Sequence, residues 1–210
     1  MAINFTNIGS DASAPVEVAP APVPGISLNL AKNSILDLAK AAPSLSKVDL
    51  CAGWDIAMGG ADFDLDISVF LCNAAGKITS GADVVFYNNK AVPGVTLNGD
   101  NRTGAGDGDD EVISIDLNAV APSVNKIVCC VTIDQAVARR QTFGMVSNSY
   151  VRLVNKDNGN ELCKFVLKDD CSTDTAVVFA ELVRDGGSWV FHTIGEGKQA
   201  DLNGLAAMFQ

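Results

Sequence analysis

Histidine is nearly missing from this sequence: His192 stands alone among 210 residues. A transition-metal centre built on imidazoles is thereby excluded, and a general base has one candidate, set in the strand-like string SWVFHTI. Six cysteines are present, but no two form a CxxC pair; Cys51, Cys72, Cys129, Cys130, Cys163 and Cys171 lie mostly in apolar runs, where a thiol packs as a small hydrophobe. They are expected to be buried and reduced, with the vicinal Cys129 and Cys130 on opposite faces of a strand. Basic residues are outnumbered, 15 Lys and Arg against 25 Asp and Glu for a net charge of −10. That balance excludes a nucleic-acid partner, whose phosphates need neutralising. No apolar run approaches the ~20 residues that span a bilayer. The start, MAINFTNIGSD, has neither a basic n-region nor an apolar h-region, so a cytoplasmic chain without a transmembrane segment is expected. Glycines followed by Lys-Ser/Thr, as in a phosphate-binding loop, are also lacking, and no serine or cysteine has a local base. An enzyme is not expected.

What is there is mostly period two. Residues 1–24 stand apart: PVEVAPAPVP (15–24) holds four of the seven prolines and reads as an extended tail or tether ahead of a domain spanning 25–210. In FDLDISVFL, Phe63, Leu65, Ile67, Val69 and Leu71 share one face, with Asp64, Asp66 and Ser68 on the other. VISIDL alternates likewise, and KIVCCVTI is apolar on both faces, as a central covered strand would be. Asn158-Gly159 and Asp185-Gly186-Gly187 sit between strand-like segments as hairpin turns. The fold class is all-β: an antiparallel β-sandwich with few short helices. DQAVARRQ predicts a short helical connector with Asp134 as N-cap. Leu202, Leu205, Ala206 and Phe209 fall at helical spacing near the C-terminus, while ILDLAKAA fits either helix or hairpin.

One stretch resists this plan. GDNRTGAGDGDDE (99–111) packs five carboxylates, four glycines and one arginine into a single run. An EF-hand needs oxygen ligands at positions 1, 3 and 5, glycine at 6 and glutamate at 12. Counting from Asp107, Asp109 and Glu111 fit positions 3 and 5, but Val112 stands where glycine is required. Two readings remain, a solvated charge run or an oxygen site gathered from several segments. Asp64 and Asp66, about 6.5–7 Å apart along a strand, could form one wall and the loop the other. Asp55, Asn88, Asn89 and Asn101 offer further oxygens. Calcium accepts six to eight oxygens in loose geometry, whereas magnesium demands a tight octahedron; without His or Cys nearby, zinc does not fit.

The strings GWD (53–55), DFDLDISVF (62–70), FYNNK (86–90), GDNRTGAGDGDDE, ARRQTFGMVSNSY (138–150) and STDTAVVFAEL (172–182) resemble, in order, those of the TerD family of tellurium-resistance and bacterial stress-response proteins. The resemblance runs from about Gly25 to near the C-terminus. It implies a β-sandwich binding two calcium ions, with Asp64, Asp66, Asp100, Asn101, Asp107, Asp109, Asp110 and Glu111 as the ligand set. It also implies strand and turn for ILDLAKAA, and a calcium-dependent interaction module with protein partners in a complex near the membrane. The proline-rich start departs from the family pattern and raises an alternative: an assembly subunit using the same fold, self-associating or tethered through its tail.

Overall fold

The computed structural model describes residues 28–29, 35–41, 45–55, 63–99, 108–167 and 171–210. The expected tail, 1–24, lies outside them. The described strands are β1 (Leu28–Asn29), β2 (Ile35–Asp37), β3 (Lys47–Asp55), β4 (Leu65–Cys72), β5 (Val84–Val85), β6 (Ala91–Val92) and β7 (Val95–Asn98). They continue with β8 (Glu111–Asp116), β9 (Lys126–Ile133), β10 (Ser147–Asn155), β11 (Glu161–Val166), β12 (Ala176–Asp185) and β13 (Ser188–Lys198). Short α-helices among the described residues include α1 (Leu38–Ala41), α2 (Ala136–Arg139) and α3 (Leu202–Met208), with single 3-10 turns at Gly81–Asp83 and Phe143–Met145.

These strands form two sheets. One has seven strands in the order β1-β11-β10-β3-β8-β7-β6, the other six in the order β2-β13-β12-β9-β4-β5. Pairing is antiparallel throughout, except for the two-residue β1 beside β11. The fold is therefore the all-β sandwich that the alternation predicts. Its main core is the inward set of both sheets, including Leu50, Ala52 and Trp54 of β3, Ile113 and Ile115 of β8, and Leu65, Ile67, Val69 and Leu71 of β4. The hairpins turn where expected. Gly186 and Gly187 (φ 52° and 91°) close β12–β13, and Gly159 (φ 74°) lies between β10 and β11. Both positions need the left-handed backbone that glycine adopts without steric cost.

The reverse face of β4 differs from its sequence pattern. Asp66 is half-buried, but Ser68 is fully buried and so are Phe70 and Cys72. Phe70 and Cys72 belong to a second apolar layer with Val128 and Cys130 of β9 and Leu205 of α3. The α3 helix, capped by Asp201 accepting from the Gly204 N–H at 2.8 Å, lies over this face. The Phe209 ring packs on Phe70 with centroids 5.3 Å apart. Burying a side chain of that size contributes roughly 1.5–3 kcal/mol, enough to bring a seven-residue helix onto a sheet that could otherwise face water. Cys129 points into the main core and Cys130 into this layer. All six cysteines are buried and none forms a disulfide, and burial pushes Cys72 up to about 11 and Cys163 up to about 12.

Two helical expectations need adjustment. ILDLAKAA forms both elements in turn, β2 and then the single turn of α1. The N-cap of α2 is Gln135, in a left-handed conformation without a side-chain cap, not Asp134. The Asp134 carboxylate instead accepts from Gln135 Nε2 at 2.8 Å and Arg139 Nη2 at 3.4 Å.

A single buried charge joins the sheets at one end. Glu111, 1% exposed at the start of β8, reaches across to accept the Ile67 N–H of β4 at 2.6 Å. The short β5 pairs β4 only at Val69 and Phe70, so the Ile67 donor lies beyond the ladder and takes a side-chain acceptor instead. Replacing Glu111 by Ala is expected to cost about 2–4 kcal/mol, because a buried donor loses its acceptor and a cavity opens. Glu111→Gln, which keeps an oxygen at that place, is expected to cost less. Urea unfolding of the two variants measures the difference.

Candidate functional site

The glycine-aspartate run enters the described structure at Gly108, and its last three acids separate at once. Successive residues of an extended chain point to opposite sides, so Asp109, Asp110 and Glu111 meet different neighbours. Glu111 goes inward, to Ile67. Asp110 accepts the Trp54 N–H at 2.8 Å while its own N–H donates to the Ala52 carbonyl at 2.8 Å. Asp109 goes to the outer face of the seven-stranded sheet, where Arg152 holds both of its oxygens. Nε donates at 2.8 Å and Nη2 at 2.7 Å. The Tyr150 hydroxyl adds a bond to Asp109 at 3.0 Å and another to the Gly108 carbonyl at 2.9 Å.

This outer-face anchor is built by strand register. Arg152 and Tyr150 lie two apart on β10, opposite Cys51 and Gly53 of β3. Gly53 is required beneath the tyrosine, because a Cβ there would stand 2.5 Å from the ring. The Lys164 ammonium caps the other side of that ring, 3.8 Å from its centroid, and Glu161 pairs with the free arm of Arg152 at 3.1 Å. Sequence reading overlooked Arg152 and Tyr150. One arginine in an alternating strand looks like any solvent-facing residue, and only the register with β3 brings it to Asp109.

The electrostatics of neighbouring acids diverge accordingly. Burial pushes the Asp109 carboxyl upward, but the Arg152 guanidinium and the Tyr150 hydroxyl outweigh it and hold the group below the ordinary carboxylate range. Asp110 moves the other way. Burial raises it, the Trp54 N–H opposes, and the charges of Asp109 and Asp55 raise it further.

The remaining candidates lie on the adjoining segments. Asp64, 6% exposed, precedes β4, and its carbonyl accepts the Asp134 N–H at 2.8 Å. The preceding Phe63 carbonyl accepts from Trp54 Nε1 at 3.1 Å, which ties the start of the FDLD strand to the residue that Asp110 also holds. Asp66 lines a cleft of about 440 Å³ on the reverse face of β4. Asp55 accepts from the Asn148 amide. Asn89 turns its amide to the Val84 carbonyl at 2.7 Å, and Asn88 is exposed in the same turn. Asp100, Asn101 and Asp107 lie outside the described residues. Among the described residues no three His, Cys, Asp or Glu side chains converge closely enough to hold an ion by themselves.

Removing Arg152 tests the anchor. Arg152→Met leaves Asp109 half-buried without its cation and is expected to lower stability by about 1–3 kcal/mol at pH 7. Because the folded-state pKa of Asp109 is depressed, its contribution is complete above the ordinary value of 3.8 and is lost as pH falls below it. The wild-type and Arg152→Met unfolding curves are therefore expected to converge in acid, as read by denaturant midpoints across a pH series.

Comparison with known proteins supplies the context for this geometry. The TerD domain family model matches residues 26–209. The chain is 48% identical over 187 residues to a tellurium resistance protein TerD from Alcaligenes sp, covering 88% of this chain and 97% of that one. It is 46% identical over 185 residues to general stress protein 16U of Bacillus subtilis (strain 168), covering 86% and 96%. In structure it matches a homologue of telluride resistance protein (TerD) from Streptomyces coelicolor A3(2), with TM-score 0.66 and 25% identity over 78% of this chain and 96% of that one. A second solved protein, of unknown function, matches with TM-score 0.67 and 30% identity over 77% and 95%. The ordered strings, the sandwich and these relatives agree: this chain belongs to the TerD family of stress-response and tellurium-resistance proteins.

Proposed function

We propose that the protein is a calcium-dependent interaction module of the stress response, with its ion site between the FDLD strand and the glycine-aspartate loop. The observation that carries this reading is the chain of contacts bringing those two segments together: Glu111 to Ile67, Asp110 to Trp54, and Trp54 to the Phe63 carbonyl. The family is one of non-catalytic modules, and its relatives are described by the stress or tellurium phenotype to which they contribute.

The donor chemistry fits calcium. Every candidate side chain presents oxygen, which suits a hard cation, and several are aspartates on backbone that glycine leaves free to turn. Asp110 supports the fit most directly, since burial and the nearby Asp109 and Asp55 charges disfavour its ionised form. A bound divalent cation would supply the positive charge that offsets this penalty. In this reading Asp64, Asp66 and Asp110 belong to the ligand set without forming one centre by themselves, and Asp100, Asn101 and Asp107 of the loop complete it. Asp109 and Glu111 then fix the loop end through Arg152 and Ile67. The proposed consequence is a surface whose charge depends on calcium and which a partner protein reads, in a cytoplasmic complex near the membrane. Among the described residues no helix is long and apolar enough to cross a membrane.

Calorimetry with calcium, paired with thermal unfolding in calcium and in EDTA, tests the reading. At a free ion level ~100 times Kd, one site adds about 2.7 kcal/mol, or roughly 5–10 °C for a domain of this size. Asp110→Asn is the informative variant. A raised folded-state pKa means that the charged form costs stability above 3.8, while asparagine keeps an oxygen for the Trp54 N–H. The variant is thus expected to be at least as stable as wild type in EDTA, yet to gain little from calcium. No heat and no thermal shift for the wild type at millimolar calcium would end the proposal.

A further inference from the structure

A cleft of about 330 Å³ adjoins the outer-face anchor, lined among others by Ser149, Tyr150, Lys164 and Val166. A β-bulge opens it. Between Ser147 and Tyr150, β10 advances three residues while β3 advances two, from Asp55 to Gly53, so one residue of β10 goes unmatched. Asn148 takes up the excess in the left-handed region at φ 51°, and its amide holds the Asp55 carboxylate. The lining carries two charges on opposite sides of β10, Lys164 on β11 and the engaged Asp55 on β3.

Two lining groups have hydrogen-bonding capacity that the fold does not use. Ser149 is fully buried, yet its hydroxyl has no hydrogen-bond partner. Such a group carries a desolvation cost that an oxygen of a ligand would relieve. Lys164 rests its ammonium 3.8 Å from the Tyr150 ring centroid, and among the described residues no carboxylate pairs with it. Lys47, Lys126, Lys156, Arg139 and Arg152, by contrast, each pair with an acid in this chain of net charge −10. Val166, 41% exposed and opposite Tyr150 in register, adds apolar surface. One ammonium and one hydroxyl match the two oxygens of a carboxylate. A phosphate needs more cations than the cleft offers, because Arg152 is committed to Asp109 and Glu161.

We infer that this cleft binds a partner protein through a carboxylate carried beside an apolar side chain, at a chain end or on a glutamate, with Lys164 and Ser149 donating to its oxygens and Val166 packing on the apolar group. None of the acids assigned to calcium lines the cleft. The inference therefore goes beyond the calcium reading and is tested without calcium, so either can fail alone.

The probes are acetyl-GGVL with a free carboxylate, the same peptide as its C-terminal amide, acetyl-GELG-amide and inorganic phosphate, titrated by calorimetry into the full chain in EDTA. The free acid is expected to bind about tenfold more tightly than its amide. Tighter binding of acetyl-GELG-amide would support the same site with a side-chain carboxylate as its source. Lys164→Met, which keeps an unbranched stem beside Tyr150, is expected to remove the difference between acid and amide. Ser149→Ala is expected to weaken the favoured carboxylate peptide about threefold or more while leaving Tm at or above that of wild type, because the hydroxyl it deletes has no partner in the free protein. A hydroxyl that served only the fold would lower Tm and leave binding unchanged, which would remove Ser149 from the site. Failure of both carboxylate peptides to bind would overturn the proposal, as would binding no tighter than that of the amide or insensitive to Lys164→Met. Phosphate binding as tight as either peptide would overturn it in favour of a simple anion site.

Discussion

The last acid of the glycine-aspartate run is fixed by a hydrogen bond from the Ile67 amide to the buried Glu111 carboxylate. A carboxylate at 1% exposure is expensive unless its oxygens are engaged. A strand amide beyond the end of its ladder is equally in need of a partner. Each resolves the other's cost, and the bond spans the two sheets, so the start of β8 cannot shift without exposing both. Asp110 and Asp109 inherit their places from this fixed point, because alternation along an extended chain sends consecutive residues to different sides. Three adjacent acids thereby reach the opposite sheet, the backbone of β3, and the outer face of the seven-stranded sheet.

This division explains why density of charge is a poor guide to what a charged run does. Asp109 and Asp110 share the same loop and the same glycine-rich approach, yet their carboxyls shift in opposite directions. The difference is the company each keeps. Arg152 offers a planar guanidinium that matches both Asp109 oxygens and overrides the penalty of burial. Asp110 accepts the Trp54 amide, and burial together with the charges of Asp109 and Asp55 raises it. An ion-paired acid and one whose charged form is disfavoured therefore sit side by side.

Local features were legible in the sequence because their causes are local. Period-two apolar residues gave β4 and β8, a run apolar on both faces gave the central β9, and glycine turns gave the β10–β11 and β12–β13 hairpins. Cys129 and Cys130 divide between two layers as alternation requires. Features set by distant packing were not legible. Ser68 reads as the polar face of a strand, but that face of β4 is buried, with Phe70 and Cys72 in a layer that includes Leu205 of α3, and Arg152 reads as solvent-facing until β3 pairs with β10. Asp134 looks like a helix cap from its place in sequence, but its carboxylate is drawn to Gln135 and Arg139. The candidate site was half legible by the same rule: the acids were visible, while the partners that sort them into different roles came from other strands.

Alternation on β4 also links the two surfaces that the acids create. Ile67 faces inward and receives Glu111, while its neighbour Asp66 faces outward into the cleft. A one-residue slip of the strand would exchange these faces, burying an aspartate and exposing an isoleucine. Register is set by the pairing of β4 with β9 from Leu65 to Cys72, and the Glu111 bond adds to it. The inner face depends on a defined backbone position for Ile67, and the outer face depends on that position to place Asp66 beside Asp134. An acidic chain could scatter its charge evenly for solubility alone. This one ties its carboxylates to strand ends through fixed backbone contacts, and a fixed pattern of negative charge is what a cation can recognise.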